Sequence, residues 1–284
     1  MPAAPNQAQA ERWGGAGGAF WVEHEAGYDR QLGGYGAAML AAADLTDRDA
    51  VLDAGCGTGT TALQAGGRAA RVLGIDLSPV MIARARERAA TAANVRFEVA
   101  DAQTAPLDHH DVVISRFGLM FFDDSPAAFT NLRAAVGGAG RLATVCWQGI
   151  EHNDWMGVPG AAMGQVVPVG DLGEPGQPGP FSLASRDRLA ALLDGSGWID
   201  VEIEAGTMPI PVGGARTLDD AVVHVAASSL GRSVLAGVDA PTTARALDAV
   251  RDALAPFLTE DGVVLPSAAW LVRAAGGRDV RRRR

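Results

Sequence analysis

From residue 50 onward the chain alternates short runs of β-branched and apolar residues with longer stretches in which Ala, Leu and Arg recur at helical spacing. Short apolar runs bounded by turn formers read as strands buried on both faces, and their alternation with helices reads as βαβ units around a mostly parallel sheet. The pattern predicts strands at 50–54, 71–76, 95–100, 111–116 and 140–147, with helices at 60–66, 79–91 and 125–136 between them. Ser78 before Pro79 marks one helix start, because the hydroxyl caps a free N–H and the fixed φ of proline suits the first helical position. A sheet of this kind binds its ligand at the carboxyl ends of its strands.

The flanks are less regular. Residues 19–44 have a helical pattern cut by Gly33, Gly34 and Gly36, which predicts two helices with a flexible joint. Residues 149–180 are rich in Gly and Pro and read as a long loop with room for one short helix. A helix at 185–195, a strand at 199–211, helical stretches near 218–230 and 242–258 and a last strand at 263–274 follow. The expected organisation is an N-terminal helical lid (1–44), a Rossmann-like core (45–148), a Gly/Pro-rich loop (149–182), the rest of the sheet (183–275) with a helical cap inserted at about 213–258, and a disordered tail (276–284).

Composition narrows the function classes. The chain has 284 residues, 48% of them hydrophobic, enough for a large core. A formal net charge of −9 argues against a surface that tracks nucleic-acid phosphates, and the basic run at 281–284 reads as a solvated tail. Lysine is absent and Ala and Gly are abundant, a bias attributed to genome composition. Cys56 and Cys146 have no disulfide framework or metal-type spacing and read as free thiols. No secretory leader and no apolar run of the ~20 residues that cross a bilayer is present, so a cytoplasmic protein, monomeric or homodimeric and without membrane or nucleic-acid partners, is expected.

The chemistry starts at the stretch VLDAGCGTG, a strand followed at once by a glycine turn and a helix. Such a turn lets a ligand approach the backbone and the free N–H groups of the helix start. A nicotinamide fingerprint places a third glycine where Thr60 stands, which counts against a dehydrogenase. Asp53 adds a carboxylate before the first glycine, favouring a ligand with a cationic end. Asp76 ends the second strand, where an acid accepts ribose hydroxyls, and Asp101 ends the third, where a carboxylate meets an exocyclic amine. Singly, Asp53 reads as a turn cap and Asp101 as a loop acid. Together, at adjacent strand ends, the three describe a site for an adenosine with a cationic amino-acid tail, which is S-adenosylmethionine.

With VLDAGCGTG, the acid of IDLS, the acid of VADAQ and DVVISRFGLMFFDD, the region 50–147 resembles the class I S-adenosylmethionine-dependent methyltransferases, closest to the ubiquinone/menaquinone C-methyltransferase type and its bacterial natural-product relatives. The resemblance implies a seven-stranded α/β sheet with an antiparallel last strand. It implies that Asp53, Gly55, Cys56, Gly57, Thr58 and Gly59 meet the methionine part, Asp76 with Leu77 and Met81 the ribose side, Asp101, Ala102 and Gln103 the adenine, and Ser115, Arg116 and Phe117 the methyl end, with Tyr28 also on the cofactor. S-adenosylhomocysteine is the product it implies. The helices between the last two strands are additional to the family pattern.

A small organic acceptor, a secondary metabolite or a quinone-like or phenolic compound, is the expected partner, taking the methyl by direct displacement at the sulfonium. For a base, His24 and His152 are the candidates, since His109 and His110 fall at the amino edge of the sheet and His224 reads as a core or pocket-wall residue. Trp21, His24 and Tyr28 share one helix face and with Met120, Trp147, His152 and Trp155 form the expected acceptor pocket, although aromatics of this kind also fill cores. Cys56 reads as a small packing residue. The competing reading is a protein that binds the cofactor without transferring methyl, as a cyclase or a partner subunit. No metal is expected.

Overall fold

The computed structural model describes residues 5–170 and 176–277. Three helices, α1 (Gln7–Gly14), α2 (Ala16–Glu23) and α3 (Glu25–Ala42), precede the alternating region. That region runs β1 (Ala50–Ala54), α4 (Thr60–Gly66), β2 (Arg71–Asp76), α5 (Pro79–Arg88), β3 (Val95–Val99), β4 (Val112–Arg116), α6 (Ser125–Val136) and β5 (Arg141–Trp147). After it come α7 (Asp154–Gly164), α8 (Arg186–Gly195), β6 (Ile199–Pro211), α9 (Leu218–Ala227), α10 (Ser229–Val234), α11 (Ala240–Leu254), the two-residue β7 (Leu258–Thr259) and β8 (Gly262–Ala275). Ser78 caps α5 by accepting from the Met81 N–H, with Pro79 in the first turn.

The strands lie in the order β3-β2-β1-β4-β5-β8-β6, with β7 paired to β8. The first five are parallel, while β8 runs antiparallel to both β5 and β6. The glycine turn thus lies at the centre of the sheet, between the ends of β1, β2 and β4. The antiparallel pair is much longer than its neighbours: β5 pairs with β8 only as far as Trp147 and Ala269, whereas β6 and β8 continue to Pro211 and Val264. This hairpin therefore projects past the carboxyl edge and carries α9, α10 and α11 there.

One core sits on both faces of the sheet, and a second, built from Met163 of α7, Val222 and Val225 of α9, Val250 and Leu254 of α11 and Val263 and Leu265 of β8, lies under the projecting hairpin. The long loop expected at 149–182 carries its one short helix at Asp154–Gly164, which tolerates Pro159 because apolar packing against α11 holds it. The expected helix at 218–230 is divided at Ser228, whose backbone is extended and whose Oγ caps α10.

The expected joint at Gly33, Gly34 and Gly36 does not form. α3 is one continuous helix through all three, and the break falls earlier, at His24, whose φ of −106° and ψ of 15° separate α2 from α3. Two of the glycines serve close packing instead: a Cβ on Gly34 would lie 2.7 Å from the Met208 sulfur, and one on Gly36 3.2 Å from Cδ of Arg116. α3 buries Leu32, Tyr35, Met39 and Leu40, and the Tyr35 hydroxyl lies 2.8 Å from Ser267 Oγ, which donates to the Met208 carbonyl. The expected tail at 276–284 falls almost wholly outside the described residues.

Candidate functional site

Three left-handed glycines shape the central turn: Gly55, Gly57 and Gly59 have φ of 70°, 54° and 87°, a region that costs L side chains energy. A Cβ on Gly55 would lie 2.9 Å from Cα of Gly118, so the turn packs backbone against backbone. A Cβ on Gly57 would instead project toward Nε1 of Trp21 and the Met81 sulfur, at 3.6 and 3.8 Å, into a cavity. This cavity, of about 100 Å³, runs along the strand ends and is lined by Gly55, Gly57, Asp76, Leu77, Met81 and Ala102, by Arg116 and Phe117, and from above by Asn6, Trp13 and Trp21.

Asp76 stands at its centre. Oδ2 accepts the Gly57 N–H and Oδ1 the Ser78 N–H, each at 2.9 Å, and burial pushes its carboxyl above the usual carboxylate range. Each oxygen keeps a lone pair for a ligand hydroxyl. Asp101 is committed differently: it accepts from the Asn6 side chain at 3.0 Å, the Gln103 N–H at 2.8 Å and the Thr104 hydroxyl at 3.1 Å. Asn6, buried, also accepts the Asp123 N–H at 3.0 Å, so it ties the N-terminal segment to two loops at the cavity's end.

Several expected contacts lie outside the lining. Gln103 accepts the Asp124 N–H, and Ser115 donates to the Ala54 carbonyl at 2.6 Å, so both tie backbone segments together. Thr58 and its carbonyl receive Arg88, Gly59 starts α4, and burial keeps the Cys56 thiol well above its ordinary pKa, as an unreactive packing group. Asp53 lies beneath the turn and both of its oxygens are buried without a hydrogen-bond partner; desolvation, ahead of the neighbouring Asp76, pushes its carboxyl up to about 7.

A second cavity, of about 420 Å³, adjoins the first and shares with it Trp13, Trp21, Phe117 and Phe121. Tyr28 stacks on Trp21 with centroids 3.9 Å apart, and Phe117 stacks on Trp147 at 4.0 Å. Trp13 meets Phe121 edge-on at 5.1 Å, and Trp155 lies 5.1 Å from Trp147. Phe117 is held at φ 60°, an uncommon conformation for an aromatic residue, where the chain turns from β4 beside the glycine loop. Met120 completes the wall.

The two candidate bases are not brought to this cavity. His152 sits on a short 3-10 turn after β5, its side chain 58% exposed beside Glu151, because that turn rotates it away from the strand end. His24 places Nδ1 2.9 Å from the Phe20 carbonyl and stacks on Phe20, and it does not line the cavity. His224 does. Burial, with His24 next, lowers it to about 4, so its ring is neutral, and Nδ1 has no partner. Trp13, Phe20, Gln31 and Phe121 also line the cavity unforeseen: the aromatic-rich segment 13–28 signalled the first two, but only tertiary packing selects which side chains converge.

An ionic cluster holds α3 against the turn. Asp29 accepts Thr60 Oγ1 at 2.7 Å and pairs with Arg88 at 3.1 Å and Arg116 at 3.4 Å, while Glu25 pairs with Arg84. Such half-exposed pairs contribute at most about 1 kcal/mol each, so the cluster orients the helix more than it stabilises it.

Residues 51–140 match the family model of a methyltransferase domain. An uncharacterised protein of Mycobacterium tuberculosis is 33% identical over 115 residues, 39% of this chain and 42% of that protein. The magnesium-protoporphyrin O-methyltransferase of Rhodobacter capsulatus is 35% identical over 74 residues, 25% of this chain and 33% of the enzyme. The matches thus span less than half the length of these relatives. The solved structure of a phosphoethanolamine N-methyltransferase of Haemonchus contortus, in complex with phosphomonomethylethanolamine and S-adenosylhomocysteine, superimposes with a TM-score of 0.57 at 18% identity, covering 94% of this chain and 58% of that one. The fold is that of the Rossmann-like methyltransferases, and among the described residues no helix is long and apolar enough to cross a membrane.

Proposed function

We propose, from the premise that residues 51–140 belong to the methyltransferase domain family, that this protein transfers a methyl group from S-adenosylmethionine to a small organic acceptor. One observation carries the reading: the cavity at the glycine turn and the larger aromatic cavity share a wall, so a reactive group at the end of the first faces the second. The residues present fit the cofactor. Gly57 leaves open the space a Cβ would fill, Asp76 keeps acceptor capacity for a ribose, and Ala100 and Ala102 leave a flat slot at the end of β3. When bound, S-adenosylmethionine supplies an electrophilic methyl on a sulfonium.

The chain's own residues then have three tasks. Asp76, Met81 and the backbone of the turn hold and orient. Trp13, Trp21, Phe117 and Phe121 exclude water and present ring faces, which attract cations, at the junction of the two cavities. The larger cavity aligns the acceptor, and alignment supplies much of the rate in a displacement of this kind. Neither His24 nor His152 reaches the junction, so the proposal assigns no base to them. Incubation with S-adenosylmethionine and a panel of aromatic acceptors, read by mass spectrometry, should yield S-adenosylhomocysteine and a product heavier by one CH2. Cofactor that binds in calorimetry yet is recovered intact with every acceptor would support the non-transferring reading instead.

A further inference from the structure

The larger cavity is unevenly equipped with polar groups. Its body is aromatic, and among the described residues the only acid lining it is Glu11, which is exposed and accepts from Gln7 at 2.9 Å. Two arginines, Arg12 and Arg232, also line it, both exposed and so at its mouth. Neither forms an ion pair among the described residues. Arg232 is nevertheless held in place: it donates to the Ala227 carbonyl, and its guanidinium lies 4.9 Å from the centroid of Phe20. Arg12 lies 5.5 Å from the ring of Trp13. The two charges act on each other, since burial first and Arg232 second lower the pKa of Arg12. Among the described residues the mouth therefore carries two guanidiniums that form no ion pair, against the single carboxylate of Glu11.

Deeper in, Gln31 is 4% exposed and accepts the Gly213 N–H through Oε1 at 2.8 Å. A backbone N–H bonds only the amide oxygen, so the orientation of this side chain is fixed, and its NH2, which has no acceptor among the described residues, is left as a donor in the cavity wall. A mostly apolar surface with the Gln31 amide donor in its wall favours a ligand that brings its own acceptor oxygens, and guanidiniums without an ion-pair partner favour a negatively charged one.

We propose that the methyl acceptor has a flat apolar body and an anionic oxygen group, carboxylate or phosphate, received by Arg232 and Arg12 at the mouth of the larger cavity. The inference rests on the methyl-transfer reading for the word acceptor, but the anion site itself is tested by binding. The probes are 2-naphthoate, 2-naphthyl phosphate and the neutral 2-naphthamide, titrated by quenching of tryptophan fluorescence with and without S-adenosylhomocysteine. At least one anion should bind about tenfold tighter than the amide, and which one does so distinguishes carboxylate from phosphate. Arg232→Gln should abolish most of that preference and Arg12→Gln reduce it, while both variants still bind S-adenosylhomocysteine, which shows that they fold. Equal binding of all three probes, or a preference untouched by Arg232→Gln, overturns the proposal. Preserved anion preference in a protein that binds no S-adenosylhomocysteine leaves the anion site standing and removes the methyl-transfer reading.

Discussion

Asp53→Asn is the most informative single change, because it removes a charge and little volume. Asp53 is 1% exposed, neither oxygen has a partner, and burial raises its carboxyl from the ordinary 3.8 to about 7. A carboxyl whose pKa is higher in the folded chain than in the unfolded one binds its proton more tightly when folded. Stability from this group is therefore fully present below pH ~4 and is lost as pH rises through ~7. A shift of this size corresponds to about 4 kcal/mol once the group is ionised in both states, and to about 1.5 kcal/mol at about pH 5. Asparagine keeps the shape and cannot ionise. Guanidinium unfolding of both proteins at about pH 5 and about pH 8 should show the balance moving in favour of Asp53→Asn by about 2 to 3 kcal/mol between the two conditions. Any fixed cost of burying the amide is common to both pH values and cancels. A stability difference that does not change with pH, or one that moves toward the wild type at the higher pH, refutes the argument that burial of Asp53 outweighs the neighbouring Arg116 charge.

Two further outcomes are expected. Asp76→Asn, which keeps one acceptor oxygen for the turn, should weaken S-adenosylhomocysteine by about 10- to 100-fold in calorimetry, the effect of losing charge from hydrogen bonds to two hydroxyls, and affinity within twofold of the wild type would remove Asp76 from the ribose. A chain starting at Glu25 should fold and bind S-adenosylhomocysteine more weakly without transferring methyl, since it lacks Asn6, Trp13 and Trp21; a chain starting at Asp44 should fail to fold, because Leu32, Tyr35, Met39 and Leu40 belong to the main core. Full activity in the Glu25 chain would show that the first two helices are not part of the site.

The sheet was legible because its signals are local. Strands 50–54 and 71–76 are short, mostly apolar runs, AVLDA and RVLGID, and Ser78-Pro79 announces a helix in two residues. The long hairpin at 199–211 was equally plain, and with the antiparallel last strand it completes the fold. The start of α11 was missed although Asp239 caps it by accepting the Thr242 N–H, a signal as clear as that of Ser78. The glycines of α3 misled for a physical reason: a glycine that permits close approach and one that permits bending look the same in sequence, and only Met208 and Arg116 across the contact decide between them. At the candidate site, Asp76, Gly57 and Phe117 could be placed because a strand end fixes where they stand. His224 reads as a core or pocket-wall residue and lines the larger cavity, whereas Gln31 and Arg232 could not be placed, since their convergence depends on how helices far apart along the chain meet.

The projecting hairpin lies outside the segment that matches the methyltransferase domain. The segment matching the methyltransferase domain ends at residue 140, while Val212, His224, Val225, Leu230 and Arg232 on one side of the larger cavity all come from the excursion between β6 and β8. That excursion leaves and re-enters at adjacent, paired positions, Pro211 and Val264, and buries much of its apolar surface in a core of its own. It can thus be lengthened, shortened or exchanged as a cassette with little disturbance to the turn, β1 or β2. Changes in the excursion can alter the range of compounds admitted while the glycine turn and its strands are left alone, and a graft of residues 212–263 onto another member of the fold is a practical route to moving that range between proteins.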